Sequence, residues 1–367
     1  MGKPSVVVGT EPNAFCAALP TFNLQSYLDA VNKGDVQLME LCRALADCLK
    51  QTGSLVVRDP RVDGALNDKF LSLMERYFSQ PSEIKMADAR PHLAYQVGAT
   101  PEGIERPRCL KDPSILANAR KLAPEHQPAP PMDADVKWRF FWRVGERPKD
   151  TRYAELNAEP VIPAAFPEWA EVMDEWGCKM LDTVKTVAEM VALGFGLETN
   201  AFTRLMELGP HLLAPTGVDI QKHGRLNTVF AGYHYDLNFL TIHGKSRFPG
   251  LHIWLRNGER VAVTIPDGCL LLQAGKQMEW LTGGAVEAGY HEVLCTSETI
   301  KAAERAMKEG RPAWRVSSTV FSQIASDAIL EPLGCFDNAT ARRKYPPIPA
   351  GKYVQDELEI INLRSPF

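Results

Sequence analysis

After Phe202 the chain stops forming long segments of one kind and breaks into short ones, and this change of texture constrains the fold more than any other feature. Runs rich in β-branched and aromatic residues ("RLNTVFAGYHYDLNFLTIHG", "GLHIWL", "RVAVTI", "CLLLQA", "WRVSSTVFSQI") alternate with Gly and Asn turns. They have the length and composition of strands rather than helices. "RNGER" carries Asn257-Gly258, a pair suited to a two-residue hairpin turn because both central positions need positive φ. Several strands at this spacing predict an antiparallel sandwich or barrel of jelly-roll type.

The upstream half has a different period. After Asp35, the residues Leu38, Leu41, Cys42, Leu45, Cys48 and Leu49 recur at helical spacing. Leu66, Phe70, Leu73, Tyr77 and Phe78 mark a second helix, and "QPSEIK" restarts a further turn. "LPTFNL" and "TGSLVVRD" read as strands. From Pro167 to about Leu193 a broad apolar face containing Trp169, Val172, Trp176, Met180, Val184 and Val187 predicts a long helix, which Gly194 and Gly196 close.

The expected fold is therefore α+β with a mainly β core: a double-stranded β-helix (jelly roll) with a helical N-terminal part and a C-terminal helix. Residues 1–105 form the helix and strand part, and 106–166 an irregular, Pro- and charge-rich connecting segment holding one aromatic strand, "KWRFFWRV". Residues 167–197 form the long backbone helix, and 198–330 the β core, with a helical insert near 297–310. Residues 331–367 form a tail with a helix around Tyr353–Ile361.

Bulk properties exclude some partners. A net charge of −4 leaves no electrostatic footprint for nucleic acid or an anionic membrane, and short basic runs such as "ARRKY" read as solvated faces. No apolar run approaches the roughly 18–20 residues of a membrane span. "MGKPSVVVGTEPNAF" lacks the apolar core of a signal peptide, and Val6 stands where a myristoylation pattern needs Ser or Thr. The eight cysteines (Cys16, Cys42, Cys48, Cys109, Cys178, Cys269, Cys295, Cys335) form no C-x-x-C pair. That argues against a zinc ribbon or disulfide scaffold and fits a reducing, cytoplasmic setting. The expected partner is a small molecule, with oligomeric state left open.

Chemistry gathers in the β half. In "AGYHYDLNFLTIHG", His234 and Asp236 are two apart, so a strand projects both from one face and Tyr235 from the other. By itself the pair fits a metal or a merely paired histidine. His291, in "GGAVEAGYHEVLC", follows Asp236 by 55 residues in another strand-like run. Two histidines and one carboxylate with open positions left over form the ligand set of non-haem Fe(II) oxygenases. In "WRVSSTVF", Arg315 and Ser317 share one strand face, where a guanidinium fork and a hydroxyl suit the far carboxylate of a dicarboxylic acid.

With these motifs in this order, the chain resembles the isopenicillin N synthase-like branch of the Fe(II)/2-oxoglutarate-dependent oxygenases. "LMELCRALADCLKQTGSLVVRD" and "LMERYFSQPSEIK" resemble that family's N-terminal domain. "HYDLNFLTIHG", "GLHIWL", "QMEWLTGG", "YHEV" and "RVSSTVF" resemble its β core. The resemblance implies Fe(II) on His234, Asp236 and His291, with 2-oxoglutarate bound through Arg315 and Ser317 and O₂ as co-substrate. It matches Asn227 to the Asn of an "N-x-Y" strand near the co-substrate. The implied activity is oxidation of a C–H bond of a small metabolite by hydroxylation, desaturation or cyclisation, with release of succinate and CO₂. Two other readings stand beside it: a 2-oxoglutarate-independent iron oxidase of the isopenicillin N synthase type, and a non-catalytic scaffold barrel.

Three departures stand out. Val229 replaces the Tyr of "N-x-Y". Gly275-Lys276 puts a base where the family has an acid. His291 and Arg315 are separated by "SETIKAAERAMKEGRP", an inserted helix with Ser297 as expected N-cap. Other candidates are read structurally: His243 and His252 as satisfied core or pocket histidines, and His92, His126, His211 and His223 as surface. Arg139 and Arg143 read as salt-bridge residues, and Trp254, Trp280 and Phe321 as core aromatics that could line a pocket.

Overall fold

The computed structural model describes residues 19–30 and 35–364; Cys16 and the run containing Val6 lie outside them. In chain order the strands that build the two main sheets are β1 (Thr21–Asn23), β2 (Ser54–Arg58), β3 (Gly98–Thr100), β4 (Trp138–Val144), β5 (His211–Leu213), β6 (Thr216–Asp219) and β7 (Val229–Tyr235). They continue with β8 (Leu240–Gly244), β9 (Leu251–Trp254), β10 (Arg260–Ala262), β11 (Leu270–Ala274), β12 (Tyr290–Leu294), β13 (Trp314–Val316) and β14 (Ser318–Ser322). One sheet runs β1-β2-β11-β8-β14-β5-β4-β6-β13, with β3 added on β4, and the other runs β10-β9-β12-β7. Residues of both sheets line one internal cavity, so the sheets face each other as a jelly roll.

The helices cover the outer face of the larger sheet. In the Val36–Thr52 helix, the Asp35 carboxylate caps Gln37 and Leu38, and Gly53 closes the helix at φ +72°. The Trp169–Gly194 helix lies across β4, β5, β8 and β14 and buries Trp169, Trp176, Met180 and Val187. It meets the Val36–Thr52 helix at Gly194, where an added Cβ would sit 2.3 Å from the Cys42 carbonyl oxygen. Tyr77, Phe140 and Trp169 interlock within this core, Phe140 edge-on to both of the others.

Asn257-Gly258 does lie in a hairpin joining β9 to β10, pairing Trp254 with Arg260, but the loop is longer than two residues: Leu255 bonds to Glu259, and of the pair only Gly258 takes a positive φ, +86°. The aromatic strand of the connecting segment is a full member of the large sheet, β4, between β5 and β6. The inserted helix spans Ser297–Lys308, but its N-cap is Thr296. The Thr296 hydroxyl accepts from the Thr299 amide, and the Thr299 hydroxyl accepts from the Thr296 amide. Ala302, Ala303 and Ala306 bind this helix to Val218, Ile220, Phe230 and Phe248, so it is packed against the β core. Among the described residues, no helix is long and apolar enough to cross a membrane.

Candidate active site

Strands β7 and β12 are antiparallel neighbours, and their register sets His291 directly against His234. The two rings lie 4.2 Å apart between centroids. Asp236 follows the end of β7 and turns its carboxylate into the same space. Its Oδ1 is 3.7 Å from His234 Nε2 and 3.8 Å from His291 Nε2. One ligand atom from each of the three residues falls within 4.8 Å of the others, a separation a single ion could bridge.

Neighbouring groups orient the set. His234 Nδ1 lies 2.6 Å from the Gly232 carbonyl, so Nδ1 carries the proton and Nε2 keeps its lone pair for a metal. The Thr241 hydroxyl donates to Asp236 Oδ2 at 2.5 Å, leaving Oδ1 toward the histidines. Burial alone would raise the Asp236 carboxyl, yet His291, His234 and the Thr241 bond hold it below the usual carboxylate range. Burial, aided by His234, lowers His291 to about 4. Two neutral imidazoles and one carboxylate are the donors an Fe(II) ion takes, so the residues present fit it.

The cavity beside this set holds about 480 Å³. On its large-sheet wall, Arg315 is buried and its Nε donates to the Pro249 carbonyl at 3.0 Å. Among the described residues no acid pairs with it, and burial alone pulls its guanidinium down to about 10. Ser317, just past β13, accepts from the Thr216 amide at 2.8 Å and the Thr216 hydroxyl at 3.0 Å. Its own proton is thereby free for a third partner. A buried unpaired cation beside an available hydroxyl donor is a site for a carboxylate.

A second polar group on the wall has no distinctive signature in sequence. Glu105 is 3.1 Å from Lys137 and 2.6 Å from Arg139, Lys137 also pairs with Asp135, and Asp135 accepts from the Gly232 amide. Lys137 and Arg139 hold Glu105 ionised against the effect of its burial. The expected ion pair of Arg139 is present, but Arg143 has none among the described residues: it donates to the carbonyls of Val144 and Glu146.

Other expectations are corrected. Asn227 does not reach the site; it is an exposed turn residue at φ +66°, a backbone conformation Asn tolerates better than most residues. Val229 is buried at the start of β7 and is absent from the cavity wall. The strand that reaches the wall ahead of β7 is β6, through Thr216. Tyr235 does line the cavity, because β7 ends at it and the alternation of faces ends with it. His211 is a buried strand residue: its Nδ1 accepts from the Gln323 amide and its Nε2 donates to the Met206 carbonyl. His243 is satisfied by Thr319 and Gln273, as expected of a bystander. Of the aromatic candidates, Phe321 lines the cavity, while Trp254 packs on Tyr233 and Trp280 on Tyr345.

A jelly roll that brings two histidines and a carboxylate to a cavity defines the class of mononuclear facial-triad iron sites. Residues 210–324 match the 2OG-Fe(II) oxygenase superfamily, so the β core carries a domain of that superfamily, whose cofactors are iron(II) and 2-oxoglutarate. Among solved structures, a 2OG-Fe(II) oxygenase family protein from Caulobacter crescentus has TM-score 0.70 and 21% identity, over 93% of this chain and 98% of that one. A full-length Neurospora crassa protein solved in complex with alpha-KG has TM-score 0.68 and 17% identity, over 93% and 95%. The rice dioxygenase for auxin oxidation has TM-score 0.61 and 18% identity, over 93% and 95%. At these identities the likeness is one of fold. Compared with curated proteins, the sequence finds no match.

Proposed function

We propose that the chain is an Fe(II)- and 2-oxoglutarate-dependent oxygenase of the isopenicillin N synthase-like branch, acting on a C–H bond of a small metabolite and releasing succinate and CO₂. The observation that carries this reading is the pairing of two sites in one cavity: a metal-ligand set and a buried, uncompensated Arg315. A scaffold has no reason to keep an unpaired cation in its core, where it opposes folding. The similar folds solved with alpha-KG, and in one case also with thymine, support a small-molecule substrate.

In this reading His234, Asp236 and His291 hold the iron, which when bound supplies the activation of O₂. Arg315 and Ser317 bind the far carboxylate of 2-oxoglutarate and so fix its keto acid end toward the metal ligands. Thr241 holds Asp236 in place, and Gly232 fixes the tautomer of His234. The 2-oxoglutarate-independent alternative depends on Val229 as a missing contact, and with Val229 away from the wall no observation favours it. The test is succinate release dependent on both Fe(II) and 2-oxoglutarate and abolished by Asp236→Ala. Activity without 2-oxoglutarate, or activity retained in that variant, contradicts the proposal.

A further inference from the structure

The row Arg315, Ser317, Thr319, Phe321 and Gln323 alternates inward along β13, β14 and the residue beyond, and all five line the cavity. Arg315 and Ser317 form the anion end. Phe321 lies in register with Thr241, the residue that holds Asp236. The metal ligands therefore stand between the anion end and a second end that runs toward Gln323.

That second end has a distinct chemistry. Phe141, Leu212, Ala214 and Phe321 form an apolar cluster separate from the main core, and all four line the cavity. Phe141 and Phe321 meet edge-on at 6.0 Å. Beyond them Gln323 is buried, and the orientation of its amide follows from its partners. The Ile324 amide donates to Gln277 Oε1 at 2.9 Å, so the nitrogen of Gln277 is the end that donates to Gln323 Oε1, at 3.0 Å. Gln323 Nε2 is left without a partner among the described residues, a donor on the cavity wall.

Charge sharpens the picture. Every described acidic or basic side chain on the wall apart from Arg315 and His243 has a partner of opposite charge or belongs to the metal set, and His243, bonded to Thr319 and Gln273, is held neutral by burial. Arg106 faces Asp133, Arg108 faces Glu357, Arg247 faces Glu75, Lys245 faces Asp267 and Glu298 faces Lys301. The Glu105, Asp135, Lys137 and Arg139 group is neutral in sum. Once Arg315 is engaged, no free charge on the described wall awaits a substrate.

We propose that the Gln323 end binds an uncharged substrate, with an apolar ring or short chain against Phe141 and Phe321 and a carbonyl oxygen accepting from Gln323 Nε2. An acid there would lose its hydration without gaining a counter-charge. This rests on the oxygenase reading for the site of oxidation, but the binding preference can be measured without turnover.

Matched probes test it: benzamide against benzoate, and 3-phenylpropanamide against 3-phenylpropanoate. Each is titrated by calorimetry into the full chain under argon, with Fe(II), in the presence and absence of 2-oxoglutarate. With 2-oxoglutarate present the amide of each pair binds about tenfold tighter or more than its acid. An acid that binds only when 2-oxoglutarate is absent reports the Arg315 end and agrees with the proposal. Gln323→Glu still accepts from Gln277 but replaces the free donor with an acceptor, and it removes most of the amide preference. Acids matching amides with 2-oxoglutarate present, no amide binding at millimolar concentration, or an unchanged preference in Gln323→Glu overturns the proposal. Amide binding under argon with no Fe(II)- and 2-oxoglutarate-dependent succinate release once O₂ is admitted leaves this assignment standing and contradicts the oxygenase reading instead.

Discussion

The Thr241 hydroxyl donates to Asp236 Oδ2 at 2.5 Å, which leaves the other carboxylate oxygen toward His234 and His291. Removing this bond alone should loosen the metal without touching a ligand. Thr241→Val is isosteric, and its expected effect is a loss of about 10–100-fold in Fe(II) affinity, with a far-UV spectrum like that of the wild type. An unchanged affinity, measured by anaerobic calorimetry, would show that the bond does not support the site.

Arg315 offers a test in which stability and binding move in opposite directions. It is buried with no described acid beside it, so without 2-oxoglutarate Arg315→Met should melt no lower than the wild type and is expected to melt higher. The same change should weaken 2-oxoglutarate by about 30-fold or more, from the roughly 2 kcal/mol or more lost when one partner of a buried charge pair is truncated. A drop of several degrees in the melting temperature of the 2-oxoglutarate-free variant would mean that Arg315 has a structural partner.

His211 gives the fold a defined acid sensitivity. Burial, with Arg143 and Lys185 near, lowers it to about 3 from an ordinary 6.5. Its two bonds suit only the neutral ring, since Nδ1 must accept from Gln323. The stabilisation is therefore complete above pH 6.5 and is lost as pH falls from there toward 3. Across that window the unfolded chain holds the extra proton, so this group removes about 1.4 kcal/mol per pH unit. In urea unfolding between about pH 7 and pH 5, His211→Asn should show a shallower loss than the wild type. Equal slopes would contradict this account of His211.

How legible is all this in the sequence? That His234, Asp236, His291, Arg315 and Ser317 come to one cavity is readable because His234 with Asp236, and Arg315 with Ser317, each sit two apart in a strand-like run. The helices at Val36–Thr52 and Trp169–Gly194 are readable from period alone. The failures have one physical source. Asn227 matches on one letter of "N-x-Y", and nothing local distinguishes a residue on a strand's inner face from one in the turn before it. His211 reads as loop because β5 is three residues long. Glu105, Lys137 and Gln323 acquire their roles only through strand register, which brings together residues far apart in the chain.

The Glu105, Asp135, Lys137 and Arg139 group should behave as a unit. Lys137→Met strands Asp135 in a buried position and is expected to cost about 3–5 kcal/mol. Adding Asp135→Asn should recover a large part of that loss, because the stranded charge is gone. Chemical denaturation of the two single variants and the double variant measures the coupling. Strictly additive losses would show that the two residues act independently.

The central claim, that this cavity holds iron and 2-oxoglutarate together, is tested most directly by visible absorption of the full chain under argon. The account predicts a band that needs both Fe(II) and 2-oxoglutarate, disappears in Asp236→Ala and requires at least about 30-fold more 2-oxoglutarate in Arg315→Met. The absence of such a band in the wild type, or its persistence in Asp236→Ala, would contradict it.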